Sequence, residues 1–237
     1  MNLENAVTNS MQNKVVLVTG ASSGIGLWTV IGLARQGATV ILHARNKERG
    51  EAALAEAKAR SGATRIHLML ADLEHADEIR LLALRVRRMH ERLDVLVNNA
   101  ATIPHQRTLT RDGLEAQFAV NHLSYFILAQ ELIPLLTESA PARIINVSSA
   151  AHGYGHWNAA DPQGEQSSYG VLGWGWYGTT KFYNILFTYE LARRLKGTGV
   201  TANALHPGVI GTNLYRAFPP LVRPVAKLFM GSAERGA

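Results

Sequence analysis

A tyrosine moves protons at neutral pH only if a neighbour lowers its pKa, and one stretch of this sequence supplies such a neighbour. The run "SYGVLGWGWYGTTKFYN" (168–184) holds three tyrosines, two tryptophans, four glycines and one lysine. Lys181 is the only lysine of the chain with a tyrosine four residues before it. On a helix, positions i and i+4 share a face, so Tyr177 and Lys181 project side by side. An ammonium beside a phenol favours the phenolate and prepares it for proton transfer. Tyr169, Tyr183 and Tyr189 have no such partner. Any helix could carry this pair by chance. It gains weight by following a strand-like run, "RIINVSS" (143–149), that ends in Ser148 and Ser149.

A second constellation, "TGASSGIG" (19–26), follows an apolar run and opens a helical one. Gly20 permits a tight turn, Gly24 lets backbone approach a phosphate, and Gly26 allows close packing of helix on strand. The helix then offers its unpaired N–H groups and positive dipole end to a pyrophosphate, so Ser22, Ser23 and Ile25 join the expected cofactor contacts. An ordinary glycine-rich turn would explain the glycines alone, but the strand–turn–helix context argues for a dinucleotide. At the end of the next strand, "HARN" (43–46) shows Arg45 and Asn46 where an NAD site normally places a carboxylate. A guanidinium suits a bidentate grip on a 2′-phosphate, so the expected cofactor is NADP(H).

The elements that must position these groups alternate. Short β-branched runs at 14–20, 39–44, 65–70, 94–100, 143–149 and 200–207 read as strands buried on both faces. Helices are expected near 24–36, 47–60, 75–91, 112–137 and 176–196. Such alternation predicts an α/β chain with a doubly wound parallel sheet, the Rossmann fold, whose ligands bind beyond the carboxyl ends of the strands. The polar punctuation lies at those ends: Gly20–Gly26, Arg45, Asp72, Asn98–Ala101, Ser148–Ser149 and His206–Thr212. Residues 1–12 are expected to be a frayed extension and 13–237 a single NADP-binding domain, with 150–176 as its substrate-side loop.

Together these motifs resemble the short-chain dehydrogenase/reductase family, and within it the retinol-dehydrogenase-like group, from about Lys14 onward. The resemblance rests on "TGASSGIG", "ADL" (71–73), "NNA" (98–100), "DGLEAQFAVNHLSYF" (112–126), "INVSS" (145–149), "YGTTK" (177–181) and "HPGVIGT" (206–212). It implies an oxidoreductase moving hydride between nicotinamide and an apolar alcohol or carbonyl compound. Tyr177 would be the general acid or base. Lys181 would lower its pKa and hold the nicotinamide ribose, and Ser149 would hydrogen-bond the substrate oxygen. Asn121 would hold a water in the proton relay. Asp72 and Leu73 would meet the adenine, Asn99 and Ala100 the adenosine-side ribose, and Pro207, Gly208, Val209 and Thr212 the nicotinamide side. The helices at 112–137 and 176–196 would offer a surface for a homo-oligomer.

Three departures from the family pattern stand out. Ala101 replaces the glycine of "NNAG", a strain if that position needs a positive φ. The 27 residues between Ser149 and Tyr177 carry Trp157, Trp174 and Trp176, which suit either a bulky apolar pocket or the packing of a long loop. The chain is also expected to lack the family's C-terminal helix and seventh strand, leaving the sixth strand as an edge.

Composition narrows the alternatives. In 237 residues, 47% are apolar and 18% charged, enough for a sizeable core. The absence of cysteine removes thiolate metal sites and nucleophiles, no metal is expected, and a reducing, cytoplasmic setting is. No signal peptide is read, and no uncharged apolar run reaches the roughly 18 residues of a transmembrane span. The net charge of +6 would allow a basic nucleic-acid binder, but the arginines of 80–93 fall at several helical angles beside acids, as on a solvated face. No nucleic-acid partner is therefore expected. A catalytically silent NADP(H)-binding sensor remains the rival to the enzyme.

Overall fold

The computed structural model describes residues 10–208, 210 and 231–237. Six strands form one parallel sheet in the order β3-β2-β1-β4-β5-β6. They are β1 (Val15–Val18), β2 (Thr39–Ala44), β3 (Ile66–Leu70), β4 (Val95–Asn98), β5 (Ala142–Val147) and β6 (Val200–Leu205). Between them run α1 (Gly24–Arg35), α2 (Lys47–Ser61), α3 (Ala76–Met89), the composite α4 and α5 (Trp174–Arg194). Helix α4 comprises Ala116–Phe118, a π-helical turn Ala119–Leu123, and Ser124–Glu138. This is the Rossmann-type arrangement expected from the alternating runs.

Alternation of side chains along β1 divides the core. Val15 and Leu17 join a cluster with Leu82 and Val86 of α3, Leu128 and Leu132 of α4, and Leu191 of α5. Val16 and Val18 join the opposite cluster, with Val30 and Ile31 of α1 and Ala53 and Ala57 of α2. A strand apolar on both faces has no solvent side, and helices must cover each. The order of the strands reverses at β1, which neighbours both β2 and β4, and there the cofactor crevice of such a sheet opens.

Apart from the start of α4, boundaries fall within two residues of expectation, and strands β1, β4, β5 and β6 each stop two residues early, at Val18, Asn98, Val147 and Leu205. The residues beyond leave the ladder and enter the cleft. The helix expected from Asp112 begins instead at Ala116, because Gly113 takes φ +74 and residues 108–115 close on themselves through Thr110 N–H to Leu114 O (2.8 Å). Glu115 then caps the helix, its carboxylate accepting from Gln117 N and Phe118 N at 2.8 and 2.6 Å. Ala101 does not take a positive φ, so its replacement of glycine costs no backbone strain. Of the N-terminal stretch, Met11 is partly buried against the α1–α2 core and donates its N–H to Gln36 O at 3.1 Å. Strand β6 stands at the end of the sheet and pairs with β5. Among the described residues, no helix is long and apolar enough to cross a membrane.

Candidate active site

Beyond the carboxyl ends of the strands lie two adjoining cavities that share Gly20, Ser23, Ala101 and Thr102 in their walls. The larger, about 440 Å³, runs from the glycine turn to Ser149, Tyr177 and Lys181. The smaller, about 260 Å³, is bounded by Arg45, Asn46, Arg49, Asp72 and Leu73.

At their junction the turn after β1 is tightly built. Gly20 and Gly24 take φ +63 and +59, a region costly for any side chain. A Cβ on Gly26 would stand 2.6 Å from Asn99 Nδ2 and 2.7 Å from Gly20 O, so only glycine lets α1 sit this close. Thr19 Oγ1 accepts from Asn99 N and Ala100 N at 2.9 and 3.0 Å, while Asn99 Nδ2 donates to Thr19 O at 2.8 Å. Asn99, expected beside a ribose, lines the larger cavity while its side-chain amide holds the turn. Ser23, the N-cap of α1, makes no side-chain capping bond, so the first-turn N–H groups at Gly24, Ile25 and Gly26 meet the cavity with no side-chain acceptor from the cap. That donor set fits a pyrophosphate.

In the smaller cavity, Arg45 is exposed and its Nη1 lies 2.7 Å from Glu74 Oε1 and 4.0 Å from Asp72 Oδ2. The arginine expected to grip a 2′-phosphate thus lines the smaller cavity but already holds an acid. Arg49, not singled out by the sequence, brings a second guanidinium to the same wall. Asn46 caps α2 by accepting Arg49 N at 2.9 Å, and Asp72 accepts Glu74 N at 3.0 Å, so both side chains fix local turns as well as line the cavity.

At the other end, Tyr177 and Lys181 lie on α5 as their spacing predicts, both buried, with the lysine Nζ 5.6 Å from the tyrosine ring centre. Lys181 Nζ donates to Val147 O at 2.9 Å and lies 3.5 Å from Tyr125 OH. Burial pushes the lysine down to about 7. Tyr125 donates to Ala100 O at 2.9 Å, and burial raises its own pKa well above the usual value, so it stays a phenol. The two serines separate by role: Ser148 Oγ donates to Lys181 O at 2.9 Å and pins α5 to β5, whereas Ser149 caps the 3-10 turn Ala150–Tyr154. Both reach the cavity wall.

Asn121 sits in the π turn, fully buried and outside both cavity walls. Its side chain accepts Thr102 N at 2.8 Å and donates to Thr102 O at 3.0 Å and Thr180 Oγ1 at 3.2 Å. Its carbonyl accepts Asn184 Nδ2 at 2.8 Å.

The loop tryptophans divide between the two roles their type allowed. Trp174 lines the cavity, edge-on to Tyr177 with ring centres 5.1 Å apart. Trp176 is buried and donates to Glu115 Oε2 at 2.5 Å, and Tyr169 hydrogen-bonds the other oxygen of the same carboxylate. Trp157 is exposed beside Tyr183. Pro207 and Gly208 complete the wall of the larger cavity; Val209 and Thr212 lie outside the described residues. Among the described residues, no cluster of three metal-ligating side chains occurs.

With this geometry in hand, the comparisons with known proteins agree in kind. The family model described as "short chain dehydrogenase" matches residues 14–160. The chain is 42% identical over 203 residues to retinol dehydrogenase 12 of Mus musculus, covering 86% of this chain and 63% of that protein. It is 42% identical over 207 residues to retinol dehydrogenase 13 of Homo sapiens, covering 87% and 62%. The chain thus spans under two thirds of the length of these two curated relatives. Among solved structures, a short chain dehydrogenase from Burkholderia cenocepacia J2315 in complex with NADP superposes with a TM-score of 0.75 at 28% identity, covering 96% of this chain and 89% of that one. A short-chain dehydrogenase from Sphingobium yanoikuyae in complex with NADPH gives 0.72 at 25%, covering 94% and 80%.

Proposed function

The chain belongs to the short-chain dehydrogenase family, and from that premise we propose that it is an NADP(H)-dependent oxidoreductase for an apolar alcohol or carbonyl compound, with Tyr177 as its proton donor and acceptor. One observation carries the reading: a single cavity has the glycine turn at one end and Ser149, Tyr177 and Lys181 at the other. When bound, the nicotinamide cofactor supplies or takes the hydride. The α1 N-terminus would hold its pyrophosphate, and Arg45 with Arg49 its 2′-phosphate.

The chain's own residues then handle the proton. Tyr177 gives its phenolic proton to the substrate oxygen in reduction and takes it back in oxidation. Ser149 hydrogen-bonds that oxygen and fixes its distance from the phenol. Lys181, held by Val147 O, stabilises the phenolate left behind. Trp174 and Ile103 make the neighbouring wall apolar and limit the access of water. The preference for apolar substrates follows from that wall and from the retinol dehydrogenases among the relatives.

A homo-oligomer through α4 and α5 and a cytoplasmic setting belong to the same proposal. Exposed Phe126, Leu186 and Tyr189 on those two helices support the first.

The test is Tyr177→Phe. Turnover of apolar carbonyls with NADPH should fall about 10²- to 10⁴-fold, the usual worth of a positioned acid or base, while NADPH affinity stays unchanged. A thermal titration should show NADPH stabilising both forms more than NADH does. A parent chain that binds NADPH but turns over no carbonyl, and a variant that behaves identically, would make this a cofactor sensor instead.

A further inference from the structure

Strand β2 brings His43 to the wall of the smaller cavity, 2% exposed. A buried imidazole is costly unless both nitrogens are satisfied. Here both are, and each partner belongs to a different part of the cofactor cleft. Nδ1 lies 3.1 Å from the Gly20 amide nitrogen, and Nε2 lies 3.1 Å from Ala71 O. The backbone adds two ties in the same place: Ala21 N–H donates to His43 O at 2.9 Å, and Ala71 N–H donates to Ala44 O at 3.2 Å.

The partners assign the tautomer. An N–H group facing Nδ1 requires a lone pair there, and a carbonyl facing Nε2 requires the hydrogen there. Burial outweighs the opposing pull of Ala71 O and Asp72 and lowers the ring's pKa to about 4, so it is neutral at pH 7. The imidazole places its acceptor and its donor on opposite sides of one rigid ring, a span that neither the Asn nor the Gln amide covers at both ends. Gly20, at φ +63, turns the chain out of β1, and His43 captures its N–H and the next one along. Ala71 immediately precedes Asp72 and Leu73 in the opposite wall.

We infer that His43 is a positioning residue of the cofactor site, a strut that fixes the glycine turn against the Ala71–Leu73 wall and sets the width of the adenosine end of the cleft. Its effect on cofactor affinity rests on the reading above; the strut itself does not.

Two substitutions divide the ring's bonds. In His43→Asn the amide oxygen stands near the former Nδ1 and can still accept from Gly20, while the bond to Ala71 is lost. In His43→Gln the longer amide can still donate to Ala71, while Gly20 loses its acceptor. Amide hydrogen exchange in the cofactor-free protein should show Gly20 protection falling about tenfold in His43→Gln and holding in His43→Asn, as the loss of one hydrogen bond predicts. NADPH titration should show Kd rising about tenfold in both variants, because either cut frees one end of the strut, with kcat at saturating NADPH unchanged. Equal Gly20 exchange in the two variants, or Kd losses that simply track thermal stability, would overturn the strut. The tautomer needs no variant: nitrogen NMR of the parent showing a proton on Nδ1 would overturn it as well. If the parent binds no NADPH yet Gly20 exchange divides the variants as expected, the cofactor reading fails and the strut stands.

Discussion

Replacing Lys181 with methionine should change how stability depends on pH, and the structure fixes the sign. Lys181 is 1% exposed, and burial moves its pKa from 10.5 to about 7. Below pH 7 the ammonium is protonated in both folded and unfolded chains, and the folded state bears the full desolvation penalty. As pH rises past 7 the folded chain sheds the proton while the unfolded chain keeps it to about 10.4, so the unfolded state binds more protons and stability increases. At roughly 1.4 kcal/mol per pH unit over the two units above the folded pKa, the parent should gain about 3 kcal/mol on Lys181→Met between pH 6 and pH 9. The variant also loses the bond to Val147 O, but that offset does not vary with pH. Urea unfolding of both proteins at several pH values, compared as differences, cancels every group that does not interact with Lys181. A difference flat from pH 6 to pH 9 would refute the argument. It would mean that Val147 O and the tyrosine rings at 5.3 and 5.6 Å keep the ammonium charged despite its burial.

Three further outcomes follow from named contacts. Arg45→Asp should weaken NADPH by about 10- to 100-fold, the worth of hydrogen bonds to a charged group, and leave NADH nearly unaffected; equal losses in parallel titrations would reject the 2′-phosphate assignment. Glu115→Gln weakens bonds to Trp176, Tyr169 and two backbone N–H groups, so it should cost about 2–3 kcal/mol and lower Tm by about 5–10 °C in thermal denaturation. Gly26→Ala puts a methyl 2.7 Å from Gly20 O and should weaken NADPH binding more than tenfold, about 1.4 kcal/mol or more, while circular dichroism shows the fold retained.

The fold was legible because its signal is local. Val15–Val18 reads as an uninterrupted apolar run, as a strand covered on both faces must, and each such run is followed by a helix-length segment. Tyr177 and Lys181 were legible for the same reason: helical spacing alone brings them together. What escaped the sequence depends on distant partners. Nothing near Arg45 announces Glu74 as its ion pair, and nothing near Lys181 announces Tyr125, which lies 56 residues away. Ser148 and Ser149 are indistinguishable as residue types; only the position of α5 turns one toward the Lys181 carbonyl. The start of α4 was misplaced because the stop signal at Gly113 is a backbone angle, and glycine permits that angle without requiring it.

The two ends of the cleft share a support whose key side chains, Glu115 and Asn121, line neither cavity. Glu115 caps α4 and, with the same carboxylate, holds Trp176, the residue before Tyr177. Six residues later Asn121 grips Thr102, just beyond the Asn99–Ala101 turn, and takes Asn184 of α5 on its carbonyl. A regular helix would commit that carbonyl to its own ladder, whereas a π turn leaves room for an outside donor, and such turns recur at functional sites for this reason. The segment from Glu115 to Asn121 therefore sets α5, with its tyrosine and lysine, against the turn that abuts the glycine loop. A change that restored regular helix there should shift Tyr177 relative to the glycine loop without altering either, and if Tyr177 is the proton donor proposed above, such a displacement should be expensive in rate.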